Sequence, residues 1–230
     1  MSIGRTDIVR IAPAGDSALL LEFPQRIDPS INARAIVLAE RLRRRCGAAV
    51  RDAVVGYATV TVYFDPLVVD AAWMEAEMRE VSLLPEDRSD VAAPAIEVPV
   101  CYDAELGPDL TEVAAFGNMP QEDVIALHSG VEYRVYMVGF VPGFAYMAAV
   151  DSRIAAPRRA SPRRSVPAGS VAIAGLQTGI YPALTPGGWN IIGRTPLKPY
   201  DPLSRNALWF RPGDTVRFRP IPRDIYNGTR

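Results

Sequence analysis

Hydrophobic and polar positions along this chain follow two rhythms, with the change at 85–94. Early on, Ile8 and Ile11, then Ala18, Leu20 and Phe23, recur at strand-like intervals around the turn Pro13-Ala14-Gly15-Asp16. That pattern predicts a hairpin over 7–23. From Pro29 to Cys46 the spacing lengthens to three and four, so Ile31, Ala35, Leu38 and Leu42 share one helical face. Asp28 or Ser30 can cap that helix. Arg41, Arg43, Arg44 and Arg45 lie at its negative end, and Gly47 stops it. Strand spacing returns over 52–57 and 58–64. Ala71, Met74 and Met78 then mark a second helix over 70–81. The resulting order, ββαββα, predicts an α+β unit covering 1–84.

Residues 85–94 are polar and proline-bounded and predict a linker. Beyond it helical spacing survives only over 109–116 and 120–129. The rest of 95–230 breaks into short runs at 96–101, 132–138, 170–174, 189–193, 207–210 and 214–219, separated by Gly and Pro turns. Many short strands with such turns predict a closed or nearly closed β barrel. Turn chemistry is densest in Val166–Pro196, whose bends present Gln177, Thr178, Tyr181, Thr185, Trp189 and Arg194.

Composition narrows the function. Of 230 residues, 49% are hydrophobic and 22% charged, an ordinary globular balance. A net charge of -1 gives no global attraction for nucleic acid or anionic membranes. Two cysteines, Cys46 and Cys101, stand outside any CxxC pair, and there is one histidine. No Cys/His metal centre or disulfide framework is expected. With neither a leader peptide nor an 18-residue apolar run, the expected location is the cytoplasm.

Four features could carry chemistry. His128 is either a general acid/base or a helix-terminal histidine serving the dipole, and no acidic residue adjoins it in sequence. The stretch Gly139–Tyr146 offers Phe140, Phe144 and Tyr146 on a glycine-shaped bend, as an aromatic pocket wall, a docking surface or a packed barrel corner. Arg153–Arg164 sets arginines among prolines, as an anion clamp, a docking arm or a solvated loop. Gln177, Tyr181, Trp189 and Arg194 suit a small polar ligand or a barrel rim. There is no Walker loop and no GxSxG. Cys101, at a strand end without a neighbouring base, reads as an inert buried thiol. No complete catalytic set is visible, which favours a subunit or binding module over a self-sufficient enzyme.

The motifs Gly139–Met147 (GFVPGFAYM), Pro157–Pro182 (PRRASPRRSVPAGSVAIAGLQTGIYP), Thr185–Pro196 (TPGGWNIIGRTP) and Arg211–Ile221 (RPGDTVRFRPI) resemble, in order and spacing, the allophanate hydrolase subunit 1 family. That family includes 5-oxoprolinase B subunits (PxpB) and KipI proteins. The opening DIVRIAPAGDSALLLEF is similar as well, so the resemblance spans nearly the whole chain. It implies a C-terminal cyclophilin-like β barrel after the small α+β domain. It also implies two partners, a PxpC-like subunit (allophanate hydrolase subunit 2) and a PxpA-like subunit. The complex would open 5-oxoproline to glutamate with ATP hydrolysed, and this chain alone would bind no cofactor. The family also implies two other roles: a KipI-like inhibitor of a sensor histidine kinase, or half of a biotin-dependent urea/allophanate-type carboxyltransferase. No biotin-carrier lysine between methionines is present, so biotin would arrive on another protein. Fold likeness alone implies no prolyl isomerase activity. By analogy with sites built between two homologous domains, Arg163, Arg164 or Arg194 would hold a substrate carboxylate. Gln177 and Tyr181 would be their hydrogen-bonding neighbours, and Phe140, Phe144, Tyr146 and Trp189 would dock a partner.

Overall fold

A computed structural model describes residues 10–84, 94–203 and 208–229. The chain divides into two compact units, Met1–Ala92 and Ala93–Arg230. Nearly all of the segment expected to link them, 85–94, lies outside the described residues, as does the expected start of the first hairpin, 7–9.

The first unit runs β1 (Arg10–Pro13), β2 (Ala18–Glu22), α1 (Pro29–Cys46), β3 (Val50–Val55), β4 (Thr59–Phe64) and α2 (Ala71–Leu83). Its strands form an antiparallel sheet in the order β1-β2-β4-β3. Helix α1 starts where Asp28 accepts the Ser30 N–H at 2.9 Å with Pro29 next, a cap that satisfies donors the helix cannot. It ends at Gly47, whose positive φ of 50° lets its N–H return to Arg43. Ile31, Ala35, Leu38, Ala39 and Leu42 are buried against Leu21, Val60 and Val62 of the sheet and Met74 and Met78 of α2. Arg45 of α1 bridges Glu77 and Glu80 of α2, each at 2.6 Å.

The second unit contains β5 (Ile96–Val100), α3 (Leu110–Gly117), α4 (Gln121–Ser129), β6 (Glu132–Val138), β7 (Ala145–Ala148), β8 (Arg163–Val166), β9 (Ser170–Ala174), β10 (Gln177–Ile180), β11 (Thr185–Gly187), β12 (Asn190–Arg194), β13 (Thr215–Pro220) and α5 (Arg223–Gly228). Seven strands pair in the order β12-β9-β10-β7-β6-β13-β5, antiparallel except for β13 with β5. The sheet then meets itself. Cys101, one residue past β5, exchanges two 2.9 Å backbone hydrogen bonds with Arg194 at the end of β12. This single bridge draws the two edges together and makes a nearly closed barrel. Its interior holds Val98, Tyr133, Val135, Met147, Val171, Ile173, Ile192 and Phe218, joined by Val113 of α3 and Val124 of α4. A second apolar cluster lies on the other face of β9 and β10: Phe144, Val166, Ala172, Ala174, Tyr181, Trp189 and Ile191. The ribbon β8–β11 belongs to this side, with Val166 in the cluster.

Several segments differ from the pattern read in the sequence. The bend Gly139–Tyr146 is shorter than expected, because Ala145 and Tyr146 already belong to β7. Arg163 and Arg164 open strand β8 instead of continuing a loop. Gln177 opens β10, a strand whose residues QTGI carry little apolar signal. The expected strand 207–210 is reduced to a bridge between Leu208 and Tyr200, and Ala207 is outside the described residues. Among the described residues no helix is long and apolar enough to cross a membrane.

Candidate functional site

The arginine-rich segment is organised by an anion from its own chain. Asp109 precedes α3 but does not cap it with its side chain. Its carboxylate accepts from Arg163 through Nη1 and Nη2, each at 2.7 Å, and from Arg159 Nη1 at 2.7 Å. The Ile191 N–H completes the set at 2.7 Å. Asp109 is 1% exposed. A carboxylate so deep persists because charged donors surround it. The same contact holds the Arg163 guanidinium above its already high range. The backbone is tied down too. Arg159 donates its N–H to Gly188 at 2.8 Å, and Asn190 Nδ2 reaches the Pro157 carbonyl at 2.8 Å. Arg153 is held by Asp151 through a two-point contact, at 2.9 and 2.8 Å. The segment is therefore a fixed structure, and the fork of Arg163 is engaged internally.

Beside it lies an aromatic cluster that gathers all four expected docking residues. Phe144 is its centre, with ring centroids 4.7 Å from Tyr146, 5.1 Å from Tyr181, 5.3 Å from Trp189 and 5.9 Å from Phe140. Tyr146 and Trp189 meet edge to face at 5.7 Å, and the Arg158 guanidinium lies 5.8 Å from the Trp189 ring centre. Tyr181, expected as a hydrogen-bonding neighbour of the arginines, packs among the aromatics. It fits there because Gly187 has no side chain: a Cβ at Gly187 would stand 2.2 Å from the Tyr181 hydroxyl. Burial pushes the Tyr146 and Tyr181 phenols up, so both remain donors at neutral pH.

Phe144, Tyr181 and Trp189 are almost wholly buried, whereas Phe140 is 62% exposed. Phe140 has a φ of +67°, and Val141 N–H bonds the Gly139 carbonyl across it at 2.8 Å. This is a γ-turn with a positive central φ, a strained arrangement for a side chain of this size. The Phe140 ring is largely exposed. Together with Val141, Pro142, Tyr200 and Leu208 it borders an open apolar hollow of about 520 Å³.

The remaining sequence candidates are dispersed. Gln177 and Tyr181 lie four residues apart along extended chain, roughly 13 Å, so they do not share one small ligand. Arg164 is exposed on β8. Arg194 stands opposite Ser170 across β12 and β9, and Tyr181 flanks Ser170 on its other side through the Tyr181 N–H to Ser170 C=O bond of 2.9 Å. The Arg194 Nε and the Ser170 hydroxyl are buried with no protein partner.

His128 is fully buried in the barrel core, stacked on Phe218 at 4.5 Å. Its ring nitrogens bond the Tyr102 hydroxyl through Nδ1 and the Thr178 hydroxyl through Nε2, both at 2.8 Å. Thr178 also donates to the Ala172 carbonyl at 3.0 Å, so its oxygen accepts from Nε2–H and Tyr102 donates to Nδ1. Burial lowers the His128 pKa from 6.5 to about 3, which keeps the ring neutral. As placed, it neither reaches solvent nor acts as a charged partner of the α4 dipole.

Asp109, Arg158 and Arg159 take part in this site without being singled out by the sequence pattern. Asp109 lies 50 and 54 positions from the arginines it holds, beyond any local spacing rule. Arg158 is one arginine among several in its segment, and only its stacking on Trp189 sets it apart.

Known proteins resemble this chain in sequence and fold. The family model for the carboxyltransferase domain, subdomain C and D, matches residues 9–210. The 5-oxoprolinase B subunit of Bacillus subtilis (strain 168) is 38% identical over 228 residues, covering 95% of this chain and 95% of that protein. The crystal structure of TTHA0988 superposes with a TM-score of 0.79 at 39% identity, over 89% of this chain. This chain spans 40% of that longer one. The Kluyveromyces lactis urea carboxylase shares the fold alone, with a TM-score of 0.75 at 18% identity over 97% of this chain and 24% of the enzyme. The chain therefore belongs to the family of 5-oxoprolinase B subunits, within the carboxyltransferase subdomain C and D proteins.

Proposed function

We propose that this chain is the B subunit of an ATP-dependent 5-oxoprolinase. It would act with PxpC-like and PxpA-like partners to open the lactam of 5-oxoproline to glutamate with ATP hydrolysed. One observation carries the reading. A rigid face of buried aromatics and braced arginines ends in an exposed, strained Phe140, yet among the described residues it holds no nucleophile paired with a base. The one histidine is sealed in the core. A surface built this precisely but chemically incomplete suits half of a site that a second subunit completes. Phe140 is the natural anchor for that subunit, since a large aromatic on a fixed turn loses little freedom on binding. On the same reading the barrel is cyclophilin-like in fold, and the substrate carboxylate lies against the arginine-rich side, where Arg164 and Arg194 have no acidic partner among the described residues.

The test is co-expression with the two partner subunits and purification of the complex. Glutamate should appear from 5-oxoproline only when ATP is present. A stable complex that leaves 5-oxoproline intact in the presence of ATP contradicts the proposal.

A further inference from the structure

The arginines of 153–164 have distinct fates. Arg153 pairs with Asp151, and Arg159 and Arg163 share the single Asp109 carboxylate, which occupies their N–H edges. Arg158 has no acidic partner among the described residues. Its guanidinium instead rests over the Trp189 indole, a contact that orients the plane and leaves its N–H edges unused. The backbone on either side is fixed, by Asn190 at the Pro157 carbonyl and by Gly188 at the Arg159 N–H, both at 2.8 Å. Two phenol groups, Tyr146 and Tyr181, are close enough to feel the Arg158 charge, which works against the rise that burial causes in each. Tyr181 is 2% exposed and belongs, with Trp189, to the packed aromatic floor. The result is one cation with unused N–H donors, seated on an aromatic floor. Such a set is matched by an acceptor-only, planar group of negative charge, which is a carboxylate.

We propose that Arg158, seated over Trp189 beside Tyr146 and Tyr181, is the arginine that receives the carboxylate of the small substrate on this face. The inference rests on the 5-oxoprolinase reading and makes it specific. Arg163 and Arg159 then have a positioning role: clamped on Asp109, they hold the segment that presents Arg158. Stacking restricts the Arg158 side chain before the ligand arrives, so less rotamer freedom is lost on binding. Lysine at this position keeps the charge but loses both the planar stack and the two-point contact.

The test compares wild type, Arg158→Ala and Arg158→Lys in the reconstituted three-subunit complex, with Arg153→Ala as the control on an arginine remote in function. The substrate is 5-oxoproline, alongside its carboxamide, which lacks the negative charge. Arg158→Ala should raise KM for 5-oxoproline about 10- to 100-fold, the loss expected for a charge-assisted hydrogen bond. Its kcat should stay within about twofold, and Arg158→Lys should recover part of the loss. Preference for the acid over the carboxamide should collapse in Arg158→Ala. An unchanged KM, or equal losses for acid and carboxamide, overturns the assignment while leaving the 5-oxoprolinase reading intact. If the wild-type complex itself is inactive, that reading fails first. The inference is then judged by calorimetric titration of the complex with 5-oxoproline, glutamate and the carboxamide. Binding that requires the carboxylate and is abolished by Arg158→Ala supports it. Absence of carboxylate-dependent binding to wild type overturns it.

Discussion

Replacing Asp109 with Asn tests the brace behind the candidate site. The carboxylate is 1% exposed and accepts from Arg163 twice, from Arg159 and from the Ile191 N–H. Asparagine keeps the shape but removes the charge and turns one acceptor into a donor aimed at guanidinium groups. Breaking a buried ion pair from one side costs about 3–5 kcal/mol. The Arg159 and Arg163 side chains are 33% and 25% exposed, so water reaches them and the loss should fall to about 2–3 kcal/mol. Near the midpoint of thermal unfolding that corresponds to roughly 10 °C for a unit of this size. Urea unfolding in a Trp73→Phe background isolates the second unit, because Trp189 and Trp209 then supply the fluorescence. The pair term comes from the cycle of Asp109→Asn, Arg163→Met and the double variant, with an expected coupling of about 1.5–3 kcal/mol. Additivity within about 0.5 kcal/mol would refute the claim that Asp109 and Arg163 act as a unit.

Three further outcomes follow from the same geometry. His128 has a folded-state pKa of about 3 against an ordinary 6.5, so its contribution is complete above pH 6.5 and is lost as pH falls toward 3. Between pH 7.5 and pH 5 the second unit should lose about 2 kcal/mol from this group, and the pH slope of urea stability should flatten in His128→Gln; equal slopes contradict the buried neutral ring. Gly187→Ala places a methyl 2.2 Å from the Tyr181 hydroxyl and 2.7 Å from its ring, so about 1–3 kcal/mol of stability and the near-UV signature of the aromatic cluster should be lost; an unperturbed spectrum contradicts the packing. Phe140→Gly relieves a positive φ, so urea stability should hold or rise while affinity for the PxpC-like subunit falls at least about 10-fold; unchanged affinity removes Phe140 from the interface.

The sequence is most legible where local periodicity and packing agree. Helix α1 is readable because Ile31, Ala35, Leu38 and Leu42 form its buried stripe between a recognisable cap and stop. The strand β9, SVAIA, is readable because it is apolar on both faces and buried throughout. The strand β10 escapes the pattern because its residues serve neighbours more than their own burial. Thr178 bonds His128, and a Cβ at Gly179 would stand 3.1 Å from the Phe144 ring. The candidate site follows the same division. The aromatics are visible as residues, since Phe140, Phe144 and Tyr146 sit together in sequence and Trp189 shares a later motif. Their convergence on Phe144 depends on pairing β7 with β10 and is not a local property. Arginine after arginine between prolines reads naturally as a free anion clamp. The deciding fact, an internal carboxylate 50 residues upstream, is tertiary.

The most direct measurement of the central claim is an omission assay with purified PxpA-like and PxpC-like subunits, 5-oxoproline and ATP, in which this chain is added last. The account predicts that glutamate and ADP begin to form on addition and saturate at a fixed ratio of this chain to its partners. Glutamate formation at the full rate before the chain is added, or none after it has joined a stable complex, would contradict the account.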